Sequence, residues 1–112
     1  MTAEIYHIMN MTKPYFDKDC ADGNILTSDY TFVYELEADG PVIDILNNLW
    51  NLLNLNLPTD YQARSLSVGD IIYIRDLNEA HRVEIGGFRH VKLPERFCET
   101  LKLNVNPSTN DL

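Results

Sequence analysis

The 112-residue sequence predicts an α+β fold, a small antiparallel or mixed sheet with one main amphipathic helix packed on it and a short C-terminal helix. Two observations predict this class. Several short segments alternate apolar and polar residues with the period of a β-strand, whereas residues 41–56 repeat leucines with the period of a helix. We expect residues 1–103 to form a single domain and the polar residues 104–112 to form a disordered tail.

The first two strands are predicted at residues 3–9 and 30–37. Residues 3–9 are largely apolar on both faces, which is typical of a central strand rather than an edge strand. Residues 30–37 alternate, so we expect one face to carry four of their side chains: Tyr30, Phe32, Tyr34 and Leu36. Between these strands, Pro14 and the Asp22-Gly23 pair indicate a loop or a short helix.

The main helix is predicted to begin at Pro41, because proline costs no hydrogen bond in the first turn, and to stop before Pro58. An i, i+3, i+4, i+7 pattern defines its buried stripe, which comprises Val42, Ile45, Leu46, Leu49, Leu52 and Leu53. Ile43 and Trp50 lie off this stripe. Asparagines occupy the polar side and are mediocre helix formers, so packing must hold the helix.

Residues 70–91 predict an antiparallel meander of three short strands, "GDIIYIR", "AHRVEI" and "GFRHV". We expect residues 76–79 to form a hairpin loop and Gly86-Gly87 to permit a bulge or a sharp bend. "LPERFCETLKL" predicts the short C-terminal helix, with Phe97, Cys98 and Leu101 facing inward. The predicted core contains Phe32, Tyr34, Leu46, Leu49, Ile72, Ile74 and Phe88.

The net charge of −8 is concentrated in the first half of the chain. Residues 1–64 hold ten acids and three bases, a charge of −7, whereas residues 65–112 hold seven acids and six bases, a charge of −1. Such a surface repels phosphate backbones and disfavours sequence-independent binding to nucleic acid. It suits either a solvated surface or one that meets a basic partner protein.

Neither the composition nor the motifs indicate catalysis. The chain has no metal-binding histidine pattern, no nucleophile elbow and no glycine-rich phosphate loop. We therefore expect no enzymatic activity, no cofactor and no metal, with His7 as a packed, hydrogen-bonded strand residue. Cys20 and Cys98 are expected to be reduced thiols, since no signal peptide or membrane span is recognisable and cytoplasmic residence follows.

One polar constellation remains, comprising Arg64, Ser65, Ser67 and Asp70. Asp70 beside Gly69 is typical of a turn fixed by hydrogen bonds to a carboxylate, and Arg64 is positioned to pair with it. This structural interpretation is favoured, and contact with a ligand or partner is the alternative. A second candidate is the group of bases on the predicted sheet, which is interleaved with acids: Arg75, Arg82, Arg89, His90 and Lys92.

The sequence also resembles the YodL-like family and related small uncharacterised proteins of phages and mobile elements. The likeness spans roughly residues 3–91. Its most specific part is "RSLSVGD", residues 64–70, and Gly87-Phe88 matches the closing segment. The resemblance implies a bacterial or phage setting and an accessory role, with no catalytic residues to transfer. The segment "NNLWNLLNLN" is richer in leucine than the family pattern, which leaves the oligomeric state open.

These observations favour a non-enzymatic accessory protein of a phage, plasmid or bacterium that acts by protein–protein interaction, modulating a host factor. The partner is another protein or a second copy. Trp50 and Ile43 are the contact candidates on the helix, unless the loop before residue 30 or the C-terminal helix covers Trp50. The alternative is a small nucleic-acid-binding domain that uses the sheet of residues 70–91.

Overall fold

The computed structural model describes residues 1–9 and 25–105, excluding the side chains of residues 104 and 105. Within them lies one five-stranded sheet in which every neighbouring pair is antiparallel, in the order β2-β1-β3-β4-β5. The strands are β1 (Thr2–Ile8), β2 (Tyr30–Glu37), β3 (Ile71–Ile74), β4 (Glu79–Glu84) and β5 (Gly87–Val91). Two helices, α1 (Val42–Leu55) and α2 (Phe97–Val105), complete the predicted α+β fold.

The strand β1 is an interior strand of the sheet and not an edge strand, as predicted. It pairs with β2 on one side and with β3 on the other. Ile5 and Tyr6 point to opposite faces and are both fully buried. A strand that is apolar on both faces requires a covering layer on each side of the sheet, and the two helices supply these layers.

Each helix covers one face, which divides the core into two clusters. The α1 face carries Ala3, Ile5, Ile72, Ile74 and Val83, which pack with the helix residues Ile45, Leu46, Leu49 and Leu53. The α2 face carries Tyr6, Ile8, Ile71, Ala80 and Val91, which pack with Phe97 and Leu101. The predicted inward side of α2 is therefore confirmed, with Cys98 half-buried beside it.

The strand β2 contains a bulge that the sequence pattern does not reveal. Ile5 pairs with Tyr34, but the next residue, Tyr6, pairs with Phe32, so Val33 is the extra residue. A bulge reverses the alternation of side chains. The prediction that four β2 residues share a face is therefore wrong: Tyr34 packs in the α1 cluster, as Leu36 does, whereas Tyr30 and Phe32 pack in the α2 cluster.

The helix α1 begins after Pro41, which occupies the N-cap position with φ of −62°. It ends at Leu55, three residues before Pro58. Of the predicted stripe, Ile45, Leu46, Leu49 and Leu53 are buried, while Val42 and Leu52 are partly buried against the same cluster. The helical period thus identifies the packed face correctly.

The meander of β3, β4 and β5 is confirmed, with two different connections. A 3₁₀ turn at Arg75–Leu77 followed by Asn78 at φ of 52° joins β3 to β4, and Glu79 already belongs to β4. A two-residue turn at Ile85-Gly86 joins β4 to β5. Gly86 has φ of 84°, a left-handed conformation that favours glycine, so the predicted sharp bend is present.

The predicted core residues all lie in the two clusters, although to different depths. Leu46, Leu49, Ile72 and Ile74 are buried. Three aromatic residues are only partly buried at the cluster edges: Phe32, Tyr34 and Phe88. Helix α2 continues through residues 104 and 105 of the predicted tail, and residues 106–112 lie outside the described part of the chain, as does the segment of residues 10–24.

Leu49 tests the register of α1 against the sheet. Replacing Leu49 with Ala should lower the free energy of unfolding by about 2–5 kcal/mol, because it removes a buried side chain and leaves a cavity. Asn48→Ala is the matched control, since Asn48 is exposed on the same helix. Urea unfolding measures both variants. An unchanged midpoint for Leu49→Ala would mean that α1 packs through another face.

Candidate functional site

The buried carboxylate of Asp70 organises the segment "RSLSVGD". Both guanidinium Nη atoms of Arg64 donate to it, each at 2.7 Å, in a bidentate pair. The backbone N–H groups of Ile8 and Ser67 also donate to it, at 2.9 and 2.8 Å. The side chain of Asp70 is fully buried, so these four donors replace the water that it loses on folding.

Arg64 also donates hydrogen bonds to two backbone carbonyls. Its Nη2 atom donates to the carbonyl of Ile8 at 2.9 Å, and its Nη1 atom donates to the carbonyl of Ser65 at 3.0 Å. Arg64 therefore holds the C-terminal end of β1, the loop before β3 and Asp70 at the start of β3. The guanidinium is already bonded to a carboxylate, which reduces its attraction for another anion. Its pairing with Asp70 is the arrangement expected from the sequence.

His7 and Tyr61 extend this network into the core. The Tyr61 hydroxyl donates to the carbonyl of Arg64 at 2.7 Å and lies 2.9 Å from Nε2 of His7. The hydroxyl has only one proton, which it donates to the carbonyl of Arg64. The Tyr61 oxygen therefore accepts a hydrogen bond from His7, whose ring proton must then lie on Nε2. Asp70 lies 3.7 Å from the same nitrogen. This contact could not be predicted from local sequence patterns, because His7 and Tyr61 lie 54 positions apart in the chain.

Burial sets the protonation of both rings. It lowers the pKa of His7 to about 4, although the charge of Asp70 acts in the opposite direction. It also raises the pKa of Tyr61 to about 12. At neutral pH both side chains are uncharged. His7 is thus a packed, hydrogen-bonded residue, as predicted, and the network has the properties of a structural clamp.

The remaining predicted contact residues of this segment lie at the surface of the clamp. Ser65 is exposed and Ser67 is partly buried, and Arg64 keeps about a third of its side chain accessible. Contact of these residues with a ligand or a partner stays a prediction. Gly69 is buried with φ of 99°, its N–H donates to Val83 at 2.8 Å, and its carbonyl accepts from the Tyr30 hydroxyl at 2.7 Å.

A second buried carboxylate, Glu4, was missed by sequence reasoning. It lies on the α2 face of β1 and accepts from the Tyr6 hydroxyl at 2.5 Å and from Arg75 and Lys102 at 2.8 Å each. Burial opposes its ionisation, but the hydrogen bonds from Lys102, Tyr6 and Arg75 outweigh burial and lower the pKa of its carboxyl. A glutamate inside an otherwise apolar strand was the available signal.

Cys98 lies near this second carboxylate but is not activated by it. Burial raises the pKa of the Cys98 thiol to about 11, so the nucleophilic thiolate is scarce at neutral pH. It is a free thiol. Its possible partner Cys20 lies outside the described residues. The Glu4 cluster therefore serves to tie α2 and the β3–β4 connection to the central strand.

Most of the bases predicted on the sheet are committed to acids. Arg75 contacts Glu4 and Glu35, the fully buried Arg82 contacts Glu84, and Arg89 contacts the same carboxylate at 2.7 Å. His90 and Lys92 are exposed. These pairs remove much of the positive charge that a nucleic-acid surface would need.

The structure also brings together two histidines that are not adjacent in the sequence. The rings of His81 and His90 stack across β4 and β5 with centroids 4.9 Å apart. Burial lowers the pKa of His81, and Glu79, 3.3 Å from its Nε2, opposes this effect. Over residues 1–9 and 25–105, no group of three or more His, Cys, Asp or Glu side chains is arranged to hold a metal ion.

Trp50 and Ile43 are both exposed on α1, at 38% and 57%. They share a row with Asn47 and Asn54, since residues 43, 47, 50 and 54 follow the helical spacing. The helix α2 packs on the opposite face of the sheet and does not cover Trp50. Part of the preceding loop lies outside the described residues.

In the described portion of the chain, no helix is long and apolar enough to cross a membrane.

Gly69 tests the geometry of the clamp. Gly69→Val should lower the free energy of unfolding by about 1 kcal/mol or more, because a β-branched side chain is strained at this φ and Gly69 is buried. Ser65→Ala, an exposed change in the same segment, is the control and should have little effect. A melting temperature of Gly69→Val equal to that of the wild type would contradict the turn assignment.

His7 predicts a pH dependence of stability. Its pKa falls from 6.5 to about 4 on folding, so the unfolded chain takes up this proton at higher pH than the folded chain. The contribution of neutral His7 to stability is complete above about pH 6.5 and is lost as the pH falls toward about 4.

The test compares urea unfolding of the wild type and His7→Gln across this interval. Glutamine cannot be protonated, so the variant should lose less stability than the wild type as the pH falls. Equal losses in the two proteins would show that His7 is not held in its neutral form by the fold.

Comparison with known families agrees with the likeness noted from the sequence. The model of the YodL-like domain matches residues 4–93, which include nearly all of β1, the complete β2 to β5, and α1. No curated protein and no solved structure gives a significant match. Because the matched region covers most of its length, the chain belongs to the YodL-like family.

Proposed function

We propose that this YodL-like domain is a non-enzymatic accessory protein of a phage, plasmid or bacterium that acts by binding another protein. The observation that carries the proposal is the exposed row on α1. Trp50 and Ile43 leave large apolar side chains exposed on α1, beside polar Asn47 and Asn54. Aromatic side chains in such a setting commonly provide much of the binding energy of an interface.

The charges around the row support a basic partner. Residues 41–63 include Asp44 and Asp60 but no lysine or arginine. The first half of the chain carries a charge of −7, from ten acids and three bases. A second copy docked through the same row would set acid against acid. We therefore favour a partner with an apolar patch rimmed by lysine and arginine, which the acidic half would attract.

The internal chemistry supports binding rather than catalysis. Among the described residues, the two buried carboxylates are fully engaged by cations and hydrogen-bond donors, and Cys98 is held as a thiol. These groups are therefore occupied in holding the fold.

Trp50→Ala is the direct test of the row. The free energy of unfolding of the variant should stay within about 0.5–1 kcal/mol of the wild-type value, because Trp50 is not part of the core, but the variant should lose partner binding.

Crosslinking in cells identifies the partner. A photo-crosslinking residue replaces either Asn47, which lies in the row, or Asn48, which projects away from it. Crosslinks in bacterial cells should form from position 47 and be much weaker from position 48.

The captured protein should then bind the purified domain, more weakly with Trp50→Ala and at high salt, and as tightly with Asn48→Ala. Three results would contradict the proposal. The first is equal crosslinking from both positions. The second is a crosslink only between two copies. The third is a monomer by light scattering whose Trp50 fluorescence is shielded from acrylamide.

A further inference from the structure

The outer edge of β5 offers unused backbone hydrogen-bonding groups. β5 pairs with β4 on one side, and no strand among the described residues pairs with its other side. The N–H and carbonyl of Val83 bond to Asp70 and Gly69 at 2.8 Å, so the peptide groups of Val83 point toward β3. The N–H and carbonyl of Phe88, which pairs with Val83, must therefore point away from β4 toward the open edge, as must those of His90 two residues later.

A groove runs beside these outward groups on the α1 face. Its walls come from α1, including Ile43 and Asn47, and its floor from the sheet, including His81, Phe88 and His90. The residues that direct their backbone outward are thus the same residues that direct their side chains into the groove. A strand added at this edge would place alternate side chains in the groove, which is how edge-strand recognition achieves specificity.

The two edges of the sheet differ in how they are protected. The outer edge of β2 has a bulge at Val33 and carries Glu35 and Glu37, two features that discourage pairing with another strand. β5 pairs with β4 without a register shift and contains no proline. A regular edge without a bulge or a proline, lying beside a groove, suits a docking site.

Charge indicates what kind of strand fits. Residues 87–92 contain Arg89, His90 and Lys92 and no acid, in a chain of net charge −8. Two copies of β5 paired with each other would set Arg89 and Lys92 of one copy against those of the other, which is unfavourable across strands. An acidic segment would meet the exposed Lys92 with the complementary charge, and its carboxylate could accept a hydrogen bond from the exposed His90.

We propose that the outer edge of β5 binds an extended acidic segment of a partner protein as a sixth strand of the sheet. An aliphatic side chain of that segment lies beside Phe88 and Ile43, and a carboxylate two residues away lies beside His90 and Lys92. This site shares Ile43 and Asn47 with the row on α1 but does not include Trp50, and it does not require the partner interface proposed for that row.

The probes are two labelled peptides with a threonine-rich host sequence, which favours an extended strand. Each contains one isoleucine and one glutamate two residues apart, in either order, to allow both strand directions. Matched peptides carry lysine in place of glutamate. Binding is followed by fluorescence anisotropy and by the backbone amide shifts of residues 87–92 at peptide concentrations up to the millimolar range.

At least one glutamate peptide should bind and shift the amide signals of Phe88 and His90, and its lysine counterpart should bind more weakly. His90→Pro removes an outward N–H that the sheet does not use and should weaken binding about tenfold or more. His90→Ala keeps that N–H and should weaken binding less. Trp50→Ala should bind the peptide as the wild type does, which separates this site from the α1 interface.

Three outcomes would overturn the proposal: no amide shifts on β5 with either glutamate peptide, equal binding of the lysine peptides, or undiminished binding by a folded His90→Pro variant. The unfolding midpoint of that variant verifies that it is folded. If it does not fold, methylation of the peptide backbone nitrogens that face β5 replaces it, and undiminished binding of the methylated peptide would likewise contradict strand addition.

Discussion

The arrangement of this domain depends on the buried carboxylate of Asp70. It receives two hydrogen bonds from Arg64 and two from backbone N–H groups, one of them at the end of the central strand. These bonds fix where β3 begins beside β1. The backbone carbonyl of Asp70 also accepts from the N–H of Val83 on β4, so Asp70 contacts both strands that flank the start of β3. The "RSLSVGD" segment therefore holds the end of β1 beside the start of β3.

Beside its apolar core, the molecule buries two carboxylates and leaves several large apolar side chains exposed. Glu4 on one face and Asp70 at the end of β1 are both fully buried and paired with cations. Trp50, Ile43 and Ile85 remain exposed on α1 and at the tip of the β4–β5 turn. The ionic groups hold the elements in register, and the exposed apolar side chains are available for partners.

Local periodicity was enough to predict α1, the meander and the central position of β1, because each depends on neighbouring residues. The Arg64–Asp70 pair was also predictable, since six residues separate its members. The bulge at Val33 was not, because it depends on the register between two strands. Nor was the Glu4–Lys102 contact, which depends on how distant segments meet, or the His81–His90 stacking, which depends on the register of the β4–β5 hairpin. Trp50 and Ile43 were predicted to lie off the buried stripe, and both are exposed.

The unfolding free energies of Arg64→Met, Asp70→Asn and the Arg64→Met, Asp70→Asn double variant, each compared with the wild type, test the central role of the clamp most directly. Removing Arg64 leaves a buried carboxylate without its cation, which should cost about 3–5 kcal/mol. Replacing that carboxylate with a neutral amide should recover part of the loss, giving a favourable coupling between the two positions. An Arg64→Met variant as stable as the wild type, or losses that simply add, would contradict the account.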